Sequence, residues 1–298
     1  MRLPTMDAED LHEVVEGHGG AVTHLGNMWN YAAGIPHPRP DFEGHGLSLI
    51  PCKSALWLDH TGRRIGPMPL VTGFDTHALC KRLAALDKPW SWQLLNWRIA
   101  AREFAISGAE HNPHIRDSRT LPFLKETLFG NHRLVRQMQE ESDHFIVADT
   151  LAKLVAGMNA LDGADHVKPE TVERSARAFD DNVRRGASQW NDDQLRRIMH
   201  ARAWRSDRLR TCAPKPLLDH PPYIAIKLRL ITRKSLGGIQ TDLLSRVLSS
   251  AGEPIPGLYA IGEAAGFGGG GASGKRSLEG TFLSGCILTA RAAADAIG

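Results

Sequence analysis

Glu263, six glycines (Gly266, Gly268, Gly269, Gly270, Gly271 and Gly274) and two adjacent cations, Lys275 and Arg276, fall in one short run between Gly262 and Gly280. Glycine has no Cβ, so such a run lets backbone N–H groups come close to a bound group. Lys275 and Arg276 can donate to a carboxylate or to a developing enolate oxygen. By residue type alone, the same two cations also suit a solvated loop tip. Glu263 can accept from ligand hydroxyls or cap the turn it opens. Gly269 to Lys275 fits G-x-x-x-x-G-K, but a phosphate loop needs Ser or Thr next for magnesium, and Arg276 stands there. A flexible linker would be polar on both sides. This run instead joins the apolar segments Leu258 to Ile261 and Thr281 to Ile297.

Those two segments are the elements that must position the chemistry. Leu258 to Ile261 reads as a short buried strand ending in Gly262-Glu263, and Thr281 to Ile297 as an apolar helix entered through Gly280, Thr281, Phe282 and Leu283. Strand, glycine loop and helix in that order aim backbone N–H groups and a positive helix end at one point. The pattern predicts a cofactor site.

Upstream, Leu11, Val14, Val15 and His18 share one face of a helix within 7–16, stopped by Gly17. Ala21 to Leu25 suits a short strand, and 54–59 with 63–65 a hairpin about His60-Thr-Gly62. Helices are expected from an Asp75 cap through Leu86, over Leu94 to Ala105, and over Thr150 to Met158 behind an Asp149 cap. Pro169 opens and Gly186 closes a further helix, whose Val172, Ala176, Phe179 and Val183 form one stripe. From Tyr223, Ile224, Ile226, Leu228 and Leu230 alternate with Ala225, Lys227 and Arg229, a strand period. Residues 239–241 and 246–248 suggest a last hairpin. Tyr31 and Tyr223 read as core aromatics rather than acid/base groups, and Trp90, Trp92 and Trp97 as packing. His111-Asn-Pro-His114 lacks helical geometry and a third ligand, so no metal is expected there.

GLYAIGE at 257–263, the glycine loop, and RSLEGTFLSGC at 276–286 closely resemble the C-terminal flavin segment of the FAD-dependent oxidoreductases related to fumarate reductase and 3-ketosteroid Δ1-dehydrogenase. The bacterial branch known as FAD-binding dehydrogenases is the nearest in pattern. The resemblance continues through LITRKSLGGIQTD at 230–242 and VADTLAKLVAGMNA at 147–160, back to NMWNY at 27–31.

The resemblance implies an α/β fold: the C-terminal part of a Rossmann-like FAD-binding domain with an inserted α+β cap, substrate lying between them. It divides the chain into a remnant of the FAD-binding domain at 1–35, a cap or substrate domain at 36–222, and the C-terminal FAD-binding segment at 223–298. FAD is the implied cofactor, held by Gly262, Glu263, Gly280, Thr281, Phe282 and Leu283. Arg276 aligns with an arginine that holds a substrate carboxylate. Lys275 stands where relatives place a ketone-polarising tyrosine, and Ser273 replaces the family's histidine. Arg233, ahead of Gly237-Gly238, is the third implied catalytic residue.

The implied reaction moves hydride between flavin N5 and a Cα–Cβ bond next to a carbonyl in a small-molecule substrate, a 3-ketosteroid being suggested by kinship. No G-x-G-x-x-G pyrophosphate turn occurs near Met1. The chain is therefore expected to be the C-terminal half of such an enzyme, acting with a missing N-terminal FAD-binding half or else as a non-catalytic fragment.

A net charge of +3 gives no ground for nucleic-acid binding, and the Arg-rich stretch from Arg174 to Arg210 is interleaved with acids, as in a solvated helical face. Four scattered cysteines without C-x-x-C suggest neither a disulfide framework nor zinc, and suit a reducing cytoplasm. No membrane span or signal-peptide core is visible.

Overall fold

A computed structural model of the chain describes residues 9–66, 76–106, 108–266 and 281–298. They divide into two compact units. One holds 32–66, 79–106 and 108–231, the other 9–31, 76–78, 232–266 and 281–298. The strands in chain order are β1 (Val22–Thr23), β2 (Met28–Pro36), β3 (Gly46–Ile50), β4 (Leu56–Leu58), β5 (Trp90–Asn96) and β6 (Ala105–Ile106). They continue with β7 (Phe145–Ala148), β8 (Tyr223–Ser235), β9 (Gly238–Ile239), β10 (Arg246–Leu248) and β11 (Pro254–Tyr259).

The first unit is built on a seven-stranded sheet in the order β4-β5-β8-β2-β3-β6, with β7 also pairing β8. β5 and β8 pair antiparallel from Trp90↔Arg229 to Asn96↔Tyr223. Both faces of these strands are covered. Ile224, Ile226, Leu228 and Leu95 join one core with Ile99, Leu134, Val135 and Met138. Tyr223, Ala225, Leu94 and Trp92 join another with Leu154, Met158, Val172, Phe179 and Leu195. The period-two reading of β8 therefore holds; its second face is buried at Tyr223, Ala225 and Lys227, the last only 4% exposed, while Arg229 on the same face is exposed.

Two helix expectations are corrected. Leu94 to Asn96 belong to β5, and the helix begins at Trp97, because the Asn96 side chain accepts from the Ile99 N–H and caps it. Thr150, not Asp149, caps the helix Leu151–Asp162, through a bond accepted from the Lys153 N–H. Thr150→Ala is expected to cost about 1 kcal/mol with Asp149→Ala near neutral, read as paired thermal melts.

The helix Pro169–Arg185 follows expectation, with Val172, Ala176, Phe179 and Val183 buried. Its outer arginines pair with acids, as Arg177 does with Glu173.

In the second unit β1 pairs β9 and β10 pairs β11, both antiparallel. The expected 239–241/246–248 hairpin is reduced to one bridge, Thr241↔Val247, because β9 and β10 take other partners. Among the described residues a small buried cluster lies here: Val15, Ile239, Val247 and Ala260. No described helix is long and apolar enough to cross a membrane.

Candidate cofactor and active site

β11 ends at Tyr259, and Gly262–Ala265 makes one turn of 3-10 helix. Gly262 and Gly266 bracket that turn with left-handed φ values of 59° and 76°. A Cβ on Gly262 would lie 3.1 Å from the Cys286 Sγ, so the glycine lets the turn rest on the C-terminal helix Thr281–Ile297. The Gly262 N–H donates to Thr289 Oγ1 at 2.9 Å, and Ser245 Oγ donates to the Thr289 carbonyl at 3.0 Å.

On its other side the turn lies on Gly238, where a Cβ would stand 2.3 Å from the Gly266 nitrogen. A Cβ on the neighbouring Gly237 would stand 2.3 Å from the Thr23 carbonyl oxygen. Backbone thus packs on backbone at both glycines, which only glycine permits at such separations.

Glu263 projects from this turn, 55% exposed, and its Oε1 lies 2.5 Å from Lys234 Nζ. Leu283, in the first turn of the C-terminal helix, is 70% exposed. The side chains of Thr281, Phe282 and Arg233 lie outside the described residues, although their backbones belong to the C-terminal helix and to β8. Lys275, Arg276 and Gly280 also lie outside the described residues.

The structure thus packs the turn of Gly262 and Glu263 against Cys286 and Thr289 of the C-terminal helix. Sequence reasoning passed over Thr289 and Cys286, which hold the turn. Their spacing of three on an apolar helix, both small, was the available signal.

The described residues fit a flavin nucleotide. An exposed carboxylate at a strand end accepts from ribityl or ribose hydroxyls, and a helix start offers N–H groups without intrahelical partners to a group carrying negative charge. Gly262 contributes conformation rather than a donor, since Thr289 takes its N–H.

Other reactive groups in the first unit have structural work. Burial pushes the Cys212 thiol up to about 12 and the Cys80 thiol to about 11, which removes both as thiolates near neutrality. Half-buried Glu103 accepts from Ser54 Oγ at 2.6 Å and from the Cys212 N–H at 2.6 Å. Asp180 accepts from the N–H groups of Leu217 and Leu218. The Tyr223 hydroxyl donates to the Leu218 carbonyl at 2.6 Å, consistent with a core aromatic. His114 does not join His111; its Nε2 lies 3.3 Å from Glu126.

The sequence profile of the FAD binding domain family matches residues 10–283. The chain belongs to this family of flavoproteins, and FAD is the cofactor it shares with it. A KsdD-like steroid dehydrogenase of Mycobacterium tuberculosis is 42% identical over 284 residues, 94% of this chain and 50% of that protein. A second, from Mycolicibacterium smegmatis, is 41% identical over 273 residues, 91% of this chain and 49% of the relative. The chain therefore spans about half the length of these relatives.

Among solved structures, 3-ketosteroid Δ1-dehydrogenase from Sterolibacterium denitrificans, in complex with 1,4-androstadiene-3,17-dione, superposes with a TM-score of 0.58 at 16% identity. That match covers 97% of this chain and 46% of the other. The open conformation of a flavocytochrome c3 fumarate reductase gives 0.54 at 16% identity, covering 96% and 39%. At such identities the likeness is one of fold.

Proposed function

We propose that this chain is the C-terminal, flavin-contacting part of an FAD-dependent dehydrogenase acting on a Cα–Cβ bond next to a carbonyl, with a steroid ketone as the substrate class. The observation that carries the reading is the Gly262–Ala265 turn, set between Gly238 and the C-terminal helix and presenting Glu263. Identity of 42% to a KsdD-like steroid dehydrogenase supports the substrate class.

FAD, when bound, supplies the two-electron redox centre. The chain's own residues bind and polarise. Glu263 accepts from cofactor hydroxyls, with Lys234 holding its carboxylate in place. The helix start at Thr281 to Leu283 would favour negative charge on a bound flavin ring through the positive end of its dipole. Lys275 donates to the substrate carbonyl oxygen as it gains charge, and Arg276 and Arg233 hold the polar end of the substrate. In architectural terms this is the C-terminal part of a Rossmann-like domain carrying an inserted cap.

We also propose that a G-x-G-x-x-G half, on the same or another polypeptide, completes the site. The C-terminal helix supports this, since its Leu283, Ile287, Leu288 and Ile297 are all exposed, as are Leu11 and Val14 on the helix Glu9–Gly17. Uncovered apolar side chains on two helices are costly in water and suit a missing packing partner.

The test is the visible spectrum of the purified protein after FAD addition and desalting, alone and with the N-terminal half of a mycobacterial relative, followed by dye-linked oxidation of a 3-ketosteroid. Flavin bands and turnover are expected with the second half present, and Arg276→Ala lowers turnover by about 100-fold. Colourless protein in both cases sinks the reading.

A further inference from the structure

Three side chains remote in sequence meet in the first unit. His37 directly follows β2, while Glu110 and His111 lie in the turn after β6, ahead of the short helix Pro113–Arg116. One ligand atom from each lies within 4.8 Å of the other two. Glu110 Oε2 is 3.5 Å from His37 Nε2 and 3.9 Å from His111 Nε2.

His111 is 1% exposed, and neither of its ring nitrogens has a hydrogen-bond partner. A buried imidazole in that condition lacks partners for one donor and one acceptor, an unfavourable arrangement unless a group from outside the protein completes it.

The neighbours orient the other two groups. The His37 ring stacks on His45 at 4.3 Å between centroids, and His45 stacks on Phe42 at 4.5 Å. Arg39 Nη2 donates to Glu110 Oε1 at 2.8 Å, which leaves Oε2 turned to the two rings. Second partners of this kind commonly fix metal ligands in place.

We propose that His37, Glu110 and His111 form a binding site for a zinc-class divalent cation. Nε2, Oε2 and Nε2 are the ligands, and the fourth position is open to water. Two imidazoles and one carboxylate are a zinc donor set, and a metal–nitrogen length of about 2.0–2.1 Å asks the three side chains to close in by roughly 1 Å. The Arg39 N–H now donates to His37 Nδ1 at 3.1 Å, which places the ring proton on Nε2. Cation binding moves that proton to Nδ1 and frees the Arg39 N–H from the ring. The bound cation would tie the end of β2 to the turn ahead of Pro113.

The probe is zinc itself, titrated into chelator-treated protein against a chromophoric competitor. One zinc per chain is expected, with the affinity lowered about 100-fold or more by His111→Asn or Glu110→Gln. His114→Asn should leave it unchanged. Glu110 is 49% exposed, so Glu110→Gln keeps the fold, as far-ultraviolet circular dichroism would show, even if the buried His111 variant does not. Cobalt(II) in the same site should give visible d–d bands without a thiolate charge-transfer band. Failure to retain zinc, an unchanged affinity in Glu110→Gln, or a thiolate band would each overturn the assignment.

Discussion

Asp162→Ala is expected to lower the stability of the first unit by about 3–5 kcal/mol, the usual result of stranding a buried charge. Asp162 Oδ1 lies 2.7 Å from Lys227 Nζ, with side-chain exposures of 8% and 5%. Its other oxygen faces Lys88 Nζ at 3.7 Å. Removing the carboxylate leaves an ammonium inside the sheet. Its remaining described contacts are the Trp90 ring at 4.4 Å and the Trp92 ring at 5.8 Å, and a cation–π contact of that kind returns only about 0.5–2 kcal/mol.

The position magnifies the effect, because Lys227 lies on β8, between its pairing partners β5 and β7. Urea unfolding should show a lower midpoint at unchanged slope for Asp162→Ala. The double variant Asp162→Ala/Lys227→Met should recover most of the loss, since an apolar pair of similar size needs no desolvated charge. A single-variant loss under about 1 kcal/mol would mean that water reaches the pair.

Lys227 also marks where the sequence stops being legible. Alternation from Ile224 to Leu230 identifies the strand and its two faces correctly. Nothing in that alternation shows that Ala225 and Lys227 are covered, by the cluster that includes the helices Leu151–Asp162 and Pro169–Arg185, while Arg229 beside them stays exposed. β5 fails for a related reason. All seven of its residues are buried, so no alternation separates Leu94 and Leu95 from a helix, and the one local signal was the Asn96 cap.

Where a segment has one wet face and marked ends, as Pro169 to Gly186 does, periodicity and end residues suffice. The turn at Gly262–Ala265 and the helix Thr281–Ile297 were readable from the glycines and the apolar run, but the expected buried strand Leu258 to Ile261 stops at Tyr259 and Ile261 is exposed. His37 and His111 were unreadable as a pair, because a long intervening chain including β3 to β6 separates them and no local spacing records their meeting.

Gly238→Ala is expected to abolish retention of FAD while leaving the first unit folded. The new methyl would stand 2.3 Å from the Gly266 nitrogen and 2.5 Å from the Ala264 carbonyl oxygen, both of them backbone atoms. No rotamer relieves such a contact, so either β9 or the 3-10 turn moves. Overpacking of this kind costs on the order of 1–3 kcal/mol, in a unit whose described buried cluster beside the turn is small. The turn carries Glu263, and its displacement moves that carboxylate away from Lys234.

Gly285→Ala is the matched control. A Cβ there meets nothing within 4 Å, and alanine in a helix gains roughly 0.5–1 kcal/mol over glycine. One methyl group thus has opposite expected signs at the two sites. FAD released at least tenfold faster from Gly238→Ala than from Gly285→Ala, at equal circular dichroism, would place the cofactor on the turn. Equal retention in both would mean that FAD, if held at all, is held elsewhere, and the proposed function would lose the observation that carries it.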